Sequence, residues 1–142
     1  MATSYSNELD GLLNAIPGTK PDGRAVGGRM RRYRATIDLA SQSSGEIINL
    51  CRVPYGSYFA YGILNSTVPL GPATVKVGDA DGDAIYKAAG TFTTANVSTM
   101  FGHSDGLAEG ATAAQKNVIL TTGGAGLPAS GTLVVDMYFT QG

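Results

Sequence analysis

The chain has 142 residues, of which 43% are hydrophobic and 15% charged, and its net charge is −1. That length suits one domain with a single core, burying roughly two-thirds of the surface an unfolded chain exposes. A charge so near zero gives no global field for a nucleic acid or a membrane, and no apolar run approaches the ~20 residues of a spanning helix.

The charged share lies well below the usual ~25%, and Gly, at 20 residues, is about twice its usual ~7%. Both suit β-rich proteins that pack against neighbours. Cys51 is the single cysteine, so no internal disulfide supports the fold. Met1-Ala2-Thr3-Ser4 lacks a basic region followed by an apolar run, so no secretory signal is expected.

Residues 1–28 are expected to form an extended N-terminal arm. Asn7 to Leu13 suits one or two helical turns. Pro17-Gly18, Pro21-Asp22-Gly23 and Gly27-Gly28 then stop any long element. A segment this poor in apolar residues does not fold by itself. A disordered tail and an arm that orders on a partner are the two readings. Leu9, Leu12, Leu13 and Ile16 favour the second, because their spacing lets them line one helical face.

From Arg29 the pattern changes to strands, and residues 29–142 are expected to form a β-sandwich. Tyr33, Ala35, Ile37 and Leu39 alternate with Arg32, Arg34, Thr36 and Asp38, a half-buried strand. Ser41 to Gly45 is turn chemistry. Strands are predicted over Glu46–Val53, Ser57–Leu64, Ala73–Gly78, Lys116–Thr122 and Gly131–Thr140, with a shorter one over Ala84–Lys87. Phe92 to Ala114 has no clear period. One helical turn near Asn96 to Phe101 suits it, and such a stretch often carries an interface. About eight short strands separated by turn signals indicate an all-β sandwich or barrel.

Little in the chain suits catalysis. His103, the only histidine, has Ser104 and Asp105 beside it. A nucleophile, base and orienting acid rarely reach working geometry as sequence neighbours, so an exposed loop histidine is expected. Cys51 is expected to be a buried packing residue, and one Cys with one His falls short of a four-ligand zinc site. Asp79, Asp81 and Asp83 alternate as in a calcium loop, but Ala84 and Gly90 stand where that pattern needs Gly and an acid. A solvated turn is expected instead. Gly123-Gly124-Ala125-Gly126 lies between strands with no helix to present to a phosphate. No cofactor or metal is expected.

The strongest local charge is basic. Arg29, Arg31, Arg32 and Arg34 fall within six residues, with Arg24 just before, and seven of the ten Lys and Arg lie in the first 52 residues. Arg forks pair with carboxylates and phosphates. Only Tyr33 stands near to stack on a base, and its phase points inward, against a nucleic-acid surface. An acidic protein surface is the favoured partner, with a solvated strand edge as the alternative.

The order of segments resembles that of small virion proteins of tailed bacteriophages. The resemblance runs through Gly27-Gly28-Arg29-Met30-Arg31-Arg32-Tyr33-Arg34-Ala35-Thr36, Ile47 to Gly56 with Val53-Pro54-Tyr55-Gly56, Val75 to Tyr86, Val118 to Thr122 and Gly131 to Val135. It covers about residues 24–141. It implies a capsid decoration (cement) protein, with a jelly-roll or related β-sandwich of about eight strands. Its implied partners are the major capsid protein and copies of itself, as a homotrimer on the outer surface of the head. It implies no catalytic residues, nucleic acid or membrane. The expected contact groups are Leu9, Leu12, Leu13, Ile16, Arg24, Arg29, Arg31, Arg32 and Arg34. The alternative function is a fibre-associated or receptor-binding module, in which exposed loop aromatics such as Tyr55 and Phe101 would matter.

Overall fold

The computed structural model describes residues 4, 6–14, 16–20, 22–24 and 26–141. Met1-Ala2-Thr3 and Pro21, both invoked above, lie outside them. A short helix, α1 (Asn7–Leu13), precedes eight strands and a second short helix. The strands are β1 (Arg29–Asp38), β2 (Ile47–Val53), β3 (Tyr58–Ser66), β4 (Thr74–Gly78), β5 (Lys87–Thr91), β6 (Thr99–Phe101), β7 (Lys116–Gly123) and β8 (Thr132–Gln141). Helix α2 (Ser104–Ala108) lies between β6 and β7.

Two antiparallel four-stranded sheets result, in the orders β1-β8-β3-β6 and β2-β7-β4-β5. Across the two sheets β1 pairs with β8, β2 with β7, β3 with β6, and β4 with β5. The first four strands therefore run out and the last four return beside them, as one long hairpin rolled into a sandwich. That is a jelly roll, one form of the β-sandwich that the resemblance implied.

Alternation decides which residues enter the core. Tyr33, Ala35 and Ile37 face inward from β1, and Leu133, Val135, Met137 and Phe139 from β8. Val118 and Leu120 meet them from β7, and Val75 and Val77 from β4. Phe139 is fully buried and touches the rings of Tyr33, Phe59 and Tyr86 at centroid distances of 6.0, 5.6 and 5.7 Å. Such offset and edge contacts are the favoured aromatic geometry.

A register shift between Phe59 and Tyr61 changes the phase of β3. The bulge lets Phe59 point into the core while Tyr61 points out, and the later positions Gly62 and Leu64 face inward again. Gly62 is required there: a Cβ would lie 2.2 Å from the Phe101 ring, which crosses it.

The weakly patterned stretch departs from the sequence reading. No helical turn forms over Asn96 to Phe101. Residues Thr99–Phe101 are the edge strand β6, and the helical turn comes later, as α2. Gly102 and the Ser and Asp of Ser104-Asp105 explain the shift, since such residues favour a turn and a helix start over a helix interior. The short strand expected at Ala84–Lys87 instead begins at Lys87 and runs to Thr91. Tyr86 still donates its N–H to the Val77 carbonyl of β4 at 3.0 Å, just before the strand, and its buried hydroxyl donates to Asp79. Phe101 is a strand residue packed against the core, not a loop aromatic, whereas Tyr55 is 71% exposed.

Phe139→Ala is expected to lower unfolding free energy by about 3–5 kcal/mol, read as a shift in urea midpoint. Tyr55→Ala, by contrast, should stay within about 0.5 kcal/mol of the parent. Equal effects would show that the aromatic cluster is not the centre of the core.

Candidate functional site

The arm begins with a capped helix. The Ser6 side chain accepts from the Leu9 N–H at 3.4 Å, and the Asn14 N–H donates to the Asp10 carbonyl. Leu9, Leu12 and Leu13 are 41, 44 and 58% exposed, and Ile16 is 99% exposed. The helix stops at Leu13, so Ile16 does not share its face as the spacing suggested. Pro17 explains the stop, because the residue before a proline is pushed out of helical backbone.

Arg24 clamps the arm to the sandwich. Its guanidinium forms a fork with Asp22, Nε to Oδ1 at 3.0 Å and Nη2 to Oδ2 at 2.7 Å. The same group lies over the Tyr58 ring, 5.4 Å from its centroid, and Nη1 donates to the Gly56 carbonyl at 3.4 Å. The Tyr58 hydroxyl donates to Asp22, and the Thr140 hydroxyl donates to the Arg24 carbonyl. The Arg24 hydrogen bonds hold the Asp22 carboxyl well below the usual carboxylate range.

The five arginines divide by environment. Arg24 is used in this clamp. Arg34 forms a fork with Asp136, its ladder partner on β8, with both N···O distances 2.8 Å. That hydrogen-bonded pairing raises the Arg34 guanidinium further above its ordinary range. Arg29, Arg31 and Arg32 are exposed and have no ion-pair partner among the described residues. They sit on β1, an edge strand, where charge also discourages edge-to-edge pairing.

The outer face of the β1-β8-β3-β6 sheet was not visible as a unit in the sequence. Tyr61 and Tyr138 stack on it, with ring centroids 4.5 Å apart and planes inclined by 14°. Ile63 and Val134 lie beside them, and Met30 and Met100 are 48% and 70% exposed. The polar phase of each strand hid this patch, because its apolar members come from four separate segments.

The acidic loop is organised around a lysine. Asp79 is buried, and its Oδ2 accepts from the Tyr86 hydroxyl at 2.9 Å and lies 3.5 Å from Lys116 Nζ. Asp81 meets the same ammonium at 2.6 Å, and Glu109 binds it from beyond α2. Asp83 turns away to Lys76, at 2.6 Å. The turn is therefore not simply solvated, and its three aspartates do not converge. Carboxylate atoms of Asp79, Asp81 and Glu109 do lie within 4.8 Å of one another, but the Lys116 ammonium already occupies the place among them and offsets part of their charge. Burial lowers the Lys116 proton affinity, yet its bonds to Asp81 and Glu109 and the charge of Asp79 outweigh this and hold it above the lysine range. Burial, then the Asp79 charge, raises the Tyr86 hydroxyl above its ordinary range.

The remaining sequence candidates are structural. His103 caps α2, its Nδ1 accepting from the Asp105 N–H at 3.2 Å, and is half-buried instead of a free loop residue. Cys51 is half-buried, less than expected, and packs against the core. Burial pushes its thiol up to about 11, far from a reactive thiolate. Gly123 ends β7, and Gly124 turns the chain with a φ of 71°.

No known family's sequence profile matches the chain, and no curated protein is similar to it in sequence. Solved structures do share its fold. A chain of the capsid of Ralstonia phage GP4 matches with a TM-score of 0.66 at 19% identity, covering 87% of this chain and 90% of that one. A chain of the cyanophage Pam1 capsid asymmetric unit gives 0.68 at 18% identity, covering 87% and 93%. One from the acid-stable capsid of Helicobacter pylori bacteriophage KHP30 gives 0.52 at 15% identity, covering 79% and 93%. At these identities the likeness establishes the fold: a jelly roll of the kind found in phage capsids.

Two outcomes test this electrostatic map. Lys116→Met leaves a buried aspartate and two neighbours without their cation, so a loss of about 3–5 kcal/mol is expected, while millimolar Ca²⁺ should leave the parent's melting temperature unchanged. A calcium-induced rise in the parent would mean that the ion competes with the ammonium. The Asp22 clamp has a depressed folded-state pKa, so its stabilisation is present above the ordinary aspartate value of ~3.9 and is lost as pH falls through the lower folded value. Amide exchange at Arg24 should stay slow at pH 4 and quicken only in stronger acid. The Arg24 N–H donates to Asp22 Oδ1 at 2.8 Å, so Asp22→Ala, which removes the acceptor, should exchange fast at both, and loss of protection already at pH 4 in the parent would contradict the clamp.

Proposed function

We propose that this chain is a structural protein of a tailed-phage virion, decorating the outer surface of the head and cementing neighbouring capsid subunits. The observation that carries this reading is the jelly-roll match to chains in three phage capsid structures, which covers 79–87% of this chain and 90–93% of those chains. Its partners in this reading are the major capsid protein and copies of itself in a homotrimer. It joins the head as virions assemble in the host bacterial cytoplasm.

The surface chemistry supports an adhesive role. Exposed aliphatics on the arm and three unpaired arginines on β1 offer apolar and cationic contacts that the protomer does not use internally. Leu9, Leu12, Leu13 and Ile16, with Arg29, Arg31 and Arg32, are the groups proposed to touch neighbours. Arg24 and Arg34 hold the arm and the strand in place. Several such contacts on one symmetric assembly act at high effective concentration, so individually weak bonds resist the pressure of packaged DNA together. We read the chain as having no enzymatic role. His103 Nδ1 is engaged in capping α2 and burial raises the Cys51 thiol, which supports this reading.

Virions made without this protein are expected to lose DNA at lower temperature and on osmotic shock, and added protein should restore them. A cryo-EM map of complete particles should show the jelly roll in many copies on the head exterior. Equal robustness without the protein would overturn the cement role. Density confined to a few copies at the tail would favour the fibre or receptor-binding reading.

A further inference from the structure

Two surfaces of the protomer lack an internal partner, and they are different in kind. One is α1 with its three exposed leucines. Residues 4–19 contain two acids, Glu8 and Asp10, and no base. A helix of seven residues is well short of the ~12–15 that make an isolated helix even marginal in water, so a surface must support it. The other is the outer face of the β1-β8-β3-β6 sheet. Its centre is the Tyr61–Tyr138 stack, and Met30 and Met100 stand exposed at its margins. Asp136 on this face is neutralised by Arg34, whereas Arg32, opposite Tyr138 in the ladder, has no ion-pair partner among the described residues. The face thus carries an apolar patch of Tyr61, Tyr138, Ile63 and Met100 next to the Arg34–Asp136 fork, with the positive charge of Arg32 beside it, and the helix is apolar on one side with Asp10 beside it.

We propose that α1 of one copy seats on the tyrosine face of a second copy, its leucines over Tyr61, Tyr138 and Ile63 and Asp10 beside Arg32. The clamp at Asp22 and Arg24 fixes the root of the arm at Gly56, Tyr58 and Thr140. From Leu13 to Asp22 the chain can extend about 30 Å, at ~3.3 Å per residue, enough to reach an adjacent molecule. Within one chain the helix does not fold back, since its leucines remain exposed. Helix and face are two unlike patches on the same protomer, so the contact is either exchanged within a pair or passed around a closed ring. This inference goes beyond the decoration reading and does not rest on it, because it concerns copies of this chain alone.

The test uses the pure full-length protein. Sedimentation velocity across a concentration series is expected to show reversible self-association. Leu12→Glu with Leu13→Glu, Met100→Asp, or Arg32→Glu should each weaken it at least about tenfold. Adding Asp10→Arg to Arg32→Glu should restore part of the loss. All these side chains are exposed, so thermal melting at low concentration, where the protein is monomeric, should be unchanged and separates loss of contact from loss of fold. In a Cys51→Ser background, chains carrying Leu13→Cys mixed with chains carrying Met100→Cys should form a mixed disulfide dimer.

A parent that stays monomeric at every concentration overturns the proposal and would leave the helix to a different protein, such as a capsid subunit. So does self-association that survives the helix variant, or that the helix variant abolishes while both face variants leave it intact. If the chain self-associates in this way yet virions do not need it, the decoration reading fails and this one stands.

Discussion

Ten residues of β1 pair in unbroken register with ten of β8, from Arg29 opposite Gln141 to Asp38 opposite Thr132. This ladder joins the first and last strands and so closes the roll. It also sets the arginine pattern. Arg34 falls opposite Asp136 and is neutralised, while Arg29, Arg31 and Arg32 reach the open end of the edge strand unpaired. The same ladder brings Thr140 to the Arg24 carbonyl, so the arm leaves the sandwich at one defined point. A slip of one residue would exchange the two faces of β1. It would put Tyr33 and Ile37 in water and turn Arg32 and Arg34 toward the core. The arginine-bearing edge and the buried core are consequences of one register.

Most of the fold could be read from period-two patterns. Strands such as β1, β7 and β8 show a regular apolar phase, and their ends come within a residue or two of the expected ones. Where the reading failed, a local rule was overridden by a tertiary contact. Tyr86 reads as strand, but its hydroxyl is drawn to a buried carboxylate. Thr99–Phe101 has no strand pattern of its own, and it is a strand because β3 offers an edge and Gly62 leaves room for the Phe101 ring. The site was less legible. The exposed leucines and the arginine cluster were visible as composition, but the division of the arginines into paired and free depends on Asp22 and on Asp136, 102 residues from Arg34. The tyrosine face was not legible, since stacking of Tyr61 on Tyr138 depends on a bulge that sequence pattern does not announce.

The Lys116 cluster shows why an acidic motif is weak ground for a metal. Alternate aspartates at 79, 81 and 83 suggest a cation loop, yet the side chains that converge are Asp79, Asp81 and Glu109, and a lysine from β7 lies among them. An ammonium in that position ties together the β4–β5 loop, the segment after α2 and the start of β7. The arrangement suits a protein whose stability must not depend on ion supply. It also carries a constraint: a buried pair contributes little over an apolar pair of the same shape, but losing one partner is costly. The cluster therefore binds three segments into one unit more than it adds to net stability.

The arm presents the opposite case, a segment with almost no stabilisation of its own. Seven helical residues with one side-chain cap cannot offset the backbone entropy of ordering them, about 1–2 kcal/mol per residue. The clamp at Asp22 and Arg24 orders only the root of the arm. Between clamp and helix lie Pro17 and Gly18, which no helix spans. In the proposed self-association, contacts to the leucines come from another copy, and ordering of the helix is coupled to that contact. Such coupling makes a single arm contact weak and reversible, so misplaced copies can leave. When several arms are engaged at once, each holds the next root in place and the later contacts form at high effective concentration. In the proposed role, a rigid jelly roll with a weakly ordered arm would sample positions during assembly and hold them once the set is complete.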